Sequence, residues 1–594
     1  MTATALRGSQ SRLPMHVRVM LRLNRKGLPP PECAVTVEKG IEVPAPDGVT
    51  LRTDHYIPQL SGPAPTLLVR SPYGRGFPWD HMFGALFGEQ GFHVIIQSCR
   101  GTGGSGGTYE PFRHEQADGQ AAVAWLREHD WFNGALGTIG PSYLSYVQGA
   151  LAADPPPELR ALVMQNAVLD PYELTYPGGA FALENILVAA AATLGFERGM
   201  AALVKVMLRL QRHLRRATMT LPLIDAYPAA LGGRVDFFEQ WLAHPDAADP
   251  YWGALNLAGG TRPAVPVSLL SGWDDICLDQ TLDIYGRLRA SGVPVRLVVG
   301  PWTHSSAFSK DMPIVFGEAL GWLRAHLSED PGGPAPSPVR VHVGGCDEWR
   351  DLPDWPPPQR ISQPWYLTAD GGLGPAPPAA AGSSSFRYDP ADPTPSVGGQ
   401  LLTSKAGPAD NKALEARADV LVFTSAPLSQ PLDVIGPVSA ALRVRTSHPH
   451  FDIFARLCDV DPHGRSRNVC DGLLRHRPAA APGATGENPP DATEQNPPDA
   501  TGENPPDVTG ADPSGTAGET PVAVAMSSAA YRFAAGHRLR LQVSGGAHPR
   551  FARNTGTGEP PATATRLVPV DVTIRYDTGR PATLSLPVMP VPPP

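Results

Sequence analysis

The sequence predicts a chain of two architectures, an α/β half followed by an all-β half. Three observations predict this. Between Pro44 and Gln165 short apolar runs alternate with helix-like segments, the same alternation returns over 265–300, and beyond about Pro334 helical periodicity gives way to strict inward–outward alternation. At 594 residues the chain is also too long for a single core.

Taken in order, PTLLVR (65–70), FHVIIQ (92–97) and LGTIG (136–140) are apolar, bounded by Gly, Pro or Ser, and read as buried strands. Between the last two, Ala117, Ala121, Ala124 and Trp125 recur at helical spacing, so His114–Trp125 reads as a helix with that face inward. Strand, helix, strand in that order implies a parallel sheet with crossover helices. From Asp170 to Trp252 the rhythm breaks into Ala-, Leu- and Arg-rich sequence, and MAALVKVMLRLQRHL (200–214) reads as an amphipathic helix. It admits two readings: an insertion covering the sheet, or a membrane-surface helix carrying Lys205, Arg209, Arg212, Arg215 and Arg216. Its place between sheet elements, rather than at a terminus, favours the first. VPVSLL (265–270) and VPVRLVVG (293–300) then restore the alternation.

In the last part Leu442 and Val444 alternate with Arg443 and Arg445, Leu539, Leu541 and Val543 with Arg538, Arg540 and Gln542, and Val568, Val570, Val572 and Ile574 with Asp571, Thr573 and Arg575. Such strands build an antiparallel β-sandwich with one face of each sheet buried. TGENPPDA, TEQNPPDA and TGENPPDV form an eight-residue repeat over Thr485–Val508, whose composition buries too little apolar surface to offset ordering and reads as a disordered loop. The expected partition is an α/β core at 35–165 and 253–333, a helical cap insertion at 166–252, and a sandwich at 334–594 interrupted by the repeat at about 478–520.

A net charge of −8 with no concentrated basic face excludes a nucleic-acid binder. No run reaches the roughly 18 apolar residues of a membrane span. Arg7, Arg12, Arg18 and Arg22 precede no apolar signal core, and Cys33, Cys99, Cys277, Cys346, Cys458 and Cys470 form no CxxC pair. A cytoplasmic protein without metal or cofactor is expected.

The chemistry centres on LGTIGPSYLSYVQGAL (136–151), in which Ser142 ends a strand and Leu144, Val147 and Leu151 start a helical stripe. A serine at such a corner holds its hydroxyl clear of the backbone beside the helix's first free N–H groups. A glycine on each side ordinarily relieves the turn. Gly140 supplies one, Leu144 replaces the other, and Gly137 or Gly149 are candidates for the compensating small residue. An ordinary serine N-cap has the same local preference, so the pattern alone leaves both roles open. Two later strands end in SGWDDIC and GPWTHSS, putting Asp274, Asp275 and His304 in loops at strand carboxyl ends. Serine, acid, histidine is the chain order of α/β-hydrolases, and ends of parallel strands converge on one side of the sheet. Two further patterns compete. GTGGSG (101–106) satisfies GxGxxG but is followed by GTYEPF rather than a helix start, and reads as a flexible loop beside the site. His114, Glu115 and Asp118 could be metal ligands, but read better as a solvated helix face.

RSPYG (70–74), GPSYL, SGWDD and GPWTH together resemble the motifs of the cocaine-esterase and Xaa-Pro dipeptidyl-peptidase group of serine hydrolases, the CocE/NonD family. YDPADPTPSVGG (388–399), FARLCDVDPHGRSRNVCDGLLR (454–475) and AGHRLRLQVS (535–544) are similar to that group's jelly-roll domain, so the resemblance runs from about Val35 to Pro587 apart from the repeat. It implies an α/β-hydrolase domain with a helical cap and a C-terminal jelly-roll β-sandwich. It makes Ser142 the nucleophile, His304 the base and Asp275 the acid, three residues after Gly272. Tyr73 and the backbone N–H of Tyr143 become the oxyanion hole. Where the family has an aspartate two residues before the arginine of its RG-rich loop, this chain has Ser98 before Arg100, which removes a carboxylate that could brace the loop.

The implied activity is hydrolysis of an ester, or an amide, through an acyl-enzyme. Alternatives are a Xaa-Pro dipeptidyl-peptidase or an α-amino acid ester hydrolase, for which Asp274 or Glu184 could anchor the substrate ammonium. A different class is a non-catalytic binding protein on a hydrolase fold, its sandwich serving as a carbohydrate or partner surface. The expected partner is a small acyl ester or short peptide, with homo-oligomerisation left open.

Overall fold

The computed structural model describes residues 11–23, 25–197, 199–258, 265–309, 311–328, 337–478 and 518–590; the repeat at 485–508 lies outside them. The apolar runs pair into one eleven-stranded sheet: β1 (Ser11–Arg12), β2 (Val35–Pro44), β3 (Thr50–Pro58), β4 (Ala64–Ser71), β5 (His93–Ser98), β6 (Phe132–Pro141), β7 (Leu159–Gln165), β8 (Val267–Asp274), β9 (Val295–Thr303), β10 (Val339–Val343) and β11 (Glu348–Leu352). Their spatial order is β1-β2-β3-β5-β4-β6-β7-β8-β9-β10-β11, and every pairing from β5 to β10 is parallel. The parallel strands are mostly apolar because helices cover both faces. On one face Met312–Leu327 buries Phe316, Leu320 and Leu323; on the other, Leu278–Ala290 buries Leu278, Leu282 and Tyr285. Residues 339–352 continue this sheet past position 334, because Val339, Val341 and Val343 pack into its core beside β9.

The helix between β5 and β6 runs Glu115–Leu126, but its inward face differs from the expected one. Ala117 and Ala124 are exposed and Trp125 is half-buried; Glu115, Asp118, Ala122, Val123 and Leu126 point inward with Ala121. Glu115 and Asp118 are therefore not a solvated face. Arg70 of β4 and Arg100 reach under the helix and draw both carboxylates in: Arg70 Nη1 lies 2.9 Å from Glu115, and Arg100 Nη2 lies 2.6 Å from Asp118.

Helices Leu183–Glu197, Met200–Met219 and Asp236–Ala243 form a cap over the carboxyl ends of the parallel strands. In Met200–Met219, Leu203 and Met207 turn toward the cavity beneath while Met200, Val204 and Leu208 face outward. This is the covering role expected of the insertion. Among the described residues no helix is long and apolar enough to cross a membrane.

The C-terminal half is a jelly-roll sandwich of a seven-stranded and a four-stranded antiparallel sheet. Its core holds Leu442, Val444, Leu539, Leu541, Val543, Val570, Val572 and Ile574, the inward set read from the sequence; Val568 falls outside the strand Val570–Tyr576. Strand Phe451–Val460 departs from one-sided burial, being buried on both faces. Ile453, Ala455 and Leu457 fill the sandwich core, whereas Phe454 packs with Ala180 at the start of the cap.

Candidate active site

Ser142 sits between β6 and helix Tyr143–Ala152 with φ +57° and ψ −121°, a conformation that costs a non-glycine residue on the order of 1–3 kcal/mol. The surroundings impose it. Ser142 N–H donates to Gln165 O of β7 (2.9 Å), and its carbonyl accepts from Ser145 N (2.7 Å), so the strand ladder and the helix each hold one side of the corner. The missing second glycine is offset at Gly140, where a Cβ would stand 2.5 Å from Leu144 Cβ. Gly137 and Gly149, the two candidates from sequence, are not the compensating residues: a Cβ there would first meet Leu327 and Leu169, respectively.

Asp275 and His304 follow β8 and β9. The register between these strands shifts from Gly272↔Gly300 to Asp274↔Thr303, adding one residue on β9 and swinging both following loops toward each other. The close crossing needs glycine, because a Cβ on Gly272 would lie 2.1 Å from Trp302 O. His304 Nδ1 then stands 3.0 Å from Asp275 Oδ2, with Asp275 fully buried and the imidazole at the cavity edge. The second carboxylate oxygen accepts from Cys277 N (2.6 Å), and Asn166 Nδ2 donates to His304 O (2.9 Å), which holds the Asp275 side chain and the His304 backbone in place.

Ser142, His304, Tyr73 and Tyr143 border one cavity of about 530 Å³ between the sheet and the cap. Tyr73 lies between the rings of Trp79 and Phe196, and burial raises its phenol well above the usual range, so the hydroxyl remains a donor. Tyr143 is tied at its far end: its hydroxyl donates to Glu115 Oε1 (2.7 Å) and accepts from Phe112 N (2.8 Å). Glu115 is in turn held by the buried Arg70 guanidinium. This anchor escaped the sequence reading, which placed Glu115 on a solvated helix face.

Trp79, Tyr109, Phe112, Phe196, Phe237, Trp241 and Phe308 supply aromatic wall, and no Asp, Glu, Lys or Arg stands among the described lining residues. Neither suggested ammonium anchor reaches the cavity. Asp274 is turned toward Gly407, Asp471, Arg550 and Arg456 of the sandwich, and Glu184 is buried under the influence of Lys405 and Arg550. The glycine-rich loop at 101–107 is pinned rather than free. Arg75, held by Asp54 (3.0 Å), donates to Ser98 Oγ (2.6 Å) and Gly103 O (2.8 Å), taking up the bracing that a carboxylate at Ser98 would have given.

Fold and site define a serine hydrolase with a helical cap and a sandwich appendage. Residues 47–306 match the family model of the X-Pro dipeptidyl-peptidase (S15 family), and residues 334–584 that of the X-Pro dipeptidyl-peptidase C-terminal non-catalytic domain. Cocaine esterase of Rhodococcus sp. (strain MB1 Bresler) is 32% identical over 574 residues, 88% of this chain and 93% of its own. Among solved structures, an α-amino acid ester hydrolase (TM-score 0.73, 22% identity, 93% of this chain and 96% of that one) shares the fold. So does an aminopeptidase from the marine sediment archaeon Thaumarchaeota archaeon (TM-score 0.74, 20% identity, the same coverages). The chain belongs to the cocaine esterase and X-Pro dipeptidyl-peptidase family of serine hydrolases.

Proposed function

We propose that this enzyme is a carboxylesterase acting through Ser142, His304 and Asp275 on small esters with apolar or aromatic groups. The observation that carries the catalytic reading is the 3.0 Å contact of His304 Nδ1 with buried Asp275, in an imidazole that shares one cavity wall with the strained Ser142. His304 Nε2 takes the Ser142 hydroxyl proton as Oγ attacks the carbonyl carbon, and Asp275 stabilises the imidazolium. The Tyr73 hydroxyl and Tyr143 N–H receive the oxyanion. Collapse returns the proton from His304 to the leaving alcohol, and water, deprotonated by the same imidazole, releases the acid.

The ester preference is supported by the walls. An aminoacyl or dipeptidyl substrate brings an ammonium that needs a carboxylate, whereas the described lining offers aromatic rings, hydroxyls and the Asn185 amide. The test has two arms. Ser142→Ala should lower nitrophenyl ester hydrolysis by at least about 10⁴-fold and abolish fluorophosphonate labelling while keeping the native melting transition. Retained labelling would defeat the assignment. A substrate panel should then favour nitrophenyl benzoate and acetate over Gly-Pro and amino-acid esters; a tenfold or greater preference for the aminoacyl compounds would establish the peptidase-like alternative.

A further inference from the structure

Cys277 lies two residues after Asp275 and caps helix Leu278–Ala290. Its backbone N–H bonds Asp275 Oδ1, which brings its side chain alongside the carboxylate. One ligand atom each from Asp275, Cys277 and His304 lies within 4.8 Å of the other two, the one such triple of His, Cys, Asp and Glu ligands among the described residues. Asp275 and Cys277 are fully buried, and His304 opens on the cavity. Carboxylate, thiolate and imidazole together are the donor set of zinc-class divalent cations. Bonds of about 2.0–2.3 Å to a tetrahedral ion separate its ligands by roughly 3.5 Å, so small side-chain rotations close the triple around one ion.

We propose that Asp275, Cys277 and His304 form an inhibitory site for zinc-class divalent cations, which switch the hydrolase off by engaging its acid and base. The proposal rests on the reading of Asp275 and His304 as the acid and base of the triad. For His304 to act as the base, the one proton of its imidazole is on Nδ1, shared with Asp275. A cation bound at Nδ1 requires that proton to move, by way of solvent, to Nε2. There it faces Ser142, and the imidazole can no longer accept the hydroxyl proton. Cys277 gives its thiol proton to solvent as the metal–sulfur bond forms, Asp275 stays ionised, and one proton is released per ion bound.

The test titrates the full-length enzyme with zinc and cadmium chloride against nitrophenyl ester hydrolysis. The wild type should bind one ion, with an inhibition constant that falls as pH rises because the thiol gives up its proton when the metal–sulfur bond forms. Cys277→Ala should raise the inhibition constant, measured against the variant's own metal-free rate, at least about tenfold, more for thiophilic cadmium. Cobalt(II) should give a thiolate-to-cobalt charge-transfer band in the wild type that the variant lacks. Equal inhibition constants in a folded Cys277→Ala protein, or a pH-independent constant, would overturn the proposal; the wild-type pH slope and cobalt band decide even if the variant does not fold. The two readings separate in the outcome: loss of activity without the thiolate band removes the metal site alone. A thiolate band with full hydrolysis removes the inhibition and, with it, His304 as the base.

Discussion

Tyr143 joins two requirements in one residue. Its backbone N–H is the donor expected at the first turn after Ser142, and its hydroxyl, between Glu115 Oε1 and Phe112 N, keeps that turn from relaxing. Behind it, Glu115 and Arg70 form an ion pair with side chains 5% and 2% exposed, so neither charge has water to fall back on. Glu115→Ala should therefore destabilise the fold by about 3–5 kcal/mol, read from a denaturant midpoint, because it strands the guanidinium as well as releasing Tyr143. A loss under about 1 kcal/mol would mean that Asp118 alone satisfies Arg70. Tyr73 makes the complementary case, with no partner role comparable to that of Tyr143. Tyr73→Phe should leave the melting temperature near wild type and lower kcat by about 10²–10³-fold, with KM much less affected; an unchanged kcat would remove Tyr73 from the oxyanion hole.

At the scale of the element, the strand–serine–helix corner works with one glycine because helix Tyr143–Ala152 sets Leu144 directly on Gly140. The two positions are coupled. Gly140→Ala should cost several kcal/mol and most of the activity, since its Cβ meets Leu144 Cβ at 2.5 Å and displaces the Ser142 turn. Adding Leu144→Gly should recover part of that activity and give a non-additive cycle, with a coupling of about 1–3 kcal/mol. Additive effects would show that Gly140 is needed for its backbone angles alone. The elements themselves were legible wherever a signal is local: the apolar strands, the amphipathic cap helix and the alternating sandwich strands announce their own burial. The placement of Ser142, Asp275 and His304 just past parallel strands was legible too, because a parallel sheet delivers such loops to one side. What could not be read was decided by distant partners. The inward turn of Glu115 and Asp118 depends on Arg70 and Arg100, the role of Gly140 on the packing of Leu144, and the company of Cys277 on a register shift between β8 and β9.

Across the whole molecule, the sandwich packs behind the loops that carry Asp275 and His304. Asp471 joins Arg456 (2.8 Å) and Arg550 (2.6 Å) in a buried cluster, and Arg550 continues through Gln400 to Ser527 and Asp279 at the head of helix Leu278–Ala290. Asp274 faces this cluster from the hydrolase side. Burial first, and the Asp471 charge second, push its carboxyl up to about 7, against the pull of Arg550 and Arg456 and with a further push from Asp275. A folded-state value above the unfolded one means that the folded protein holds an extra proton between about pH 4 and 7. The stability from that proton is complete below about pH 4 and lost as pH rises through about 7. Asp274→Asn removes the cost of the buried charge. It should raise stability at pH 8 by about 1–3 kcal/mol, a few degrees in melting temperature, and change it little at pH 4. An equal shift at both pH values would show that Asp274 is already neutral, or fully paired, across the range, and that the seam between hydrolase and sandwich does not titrate.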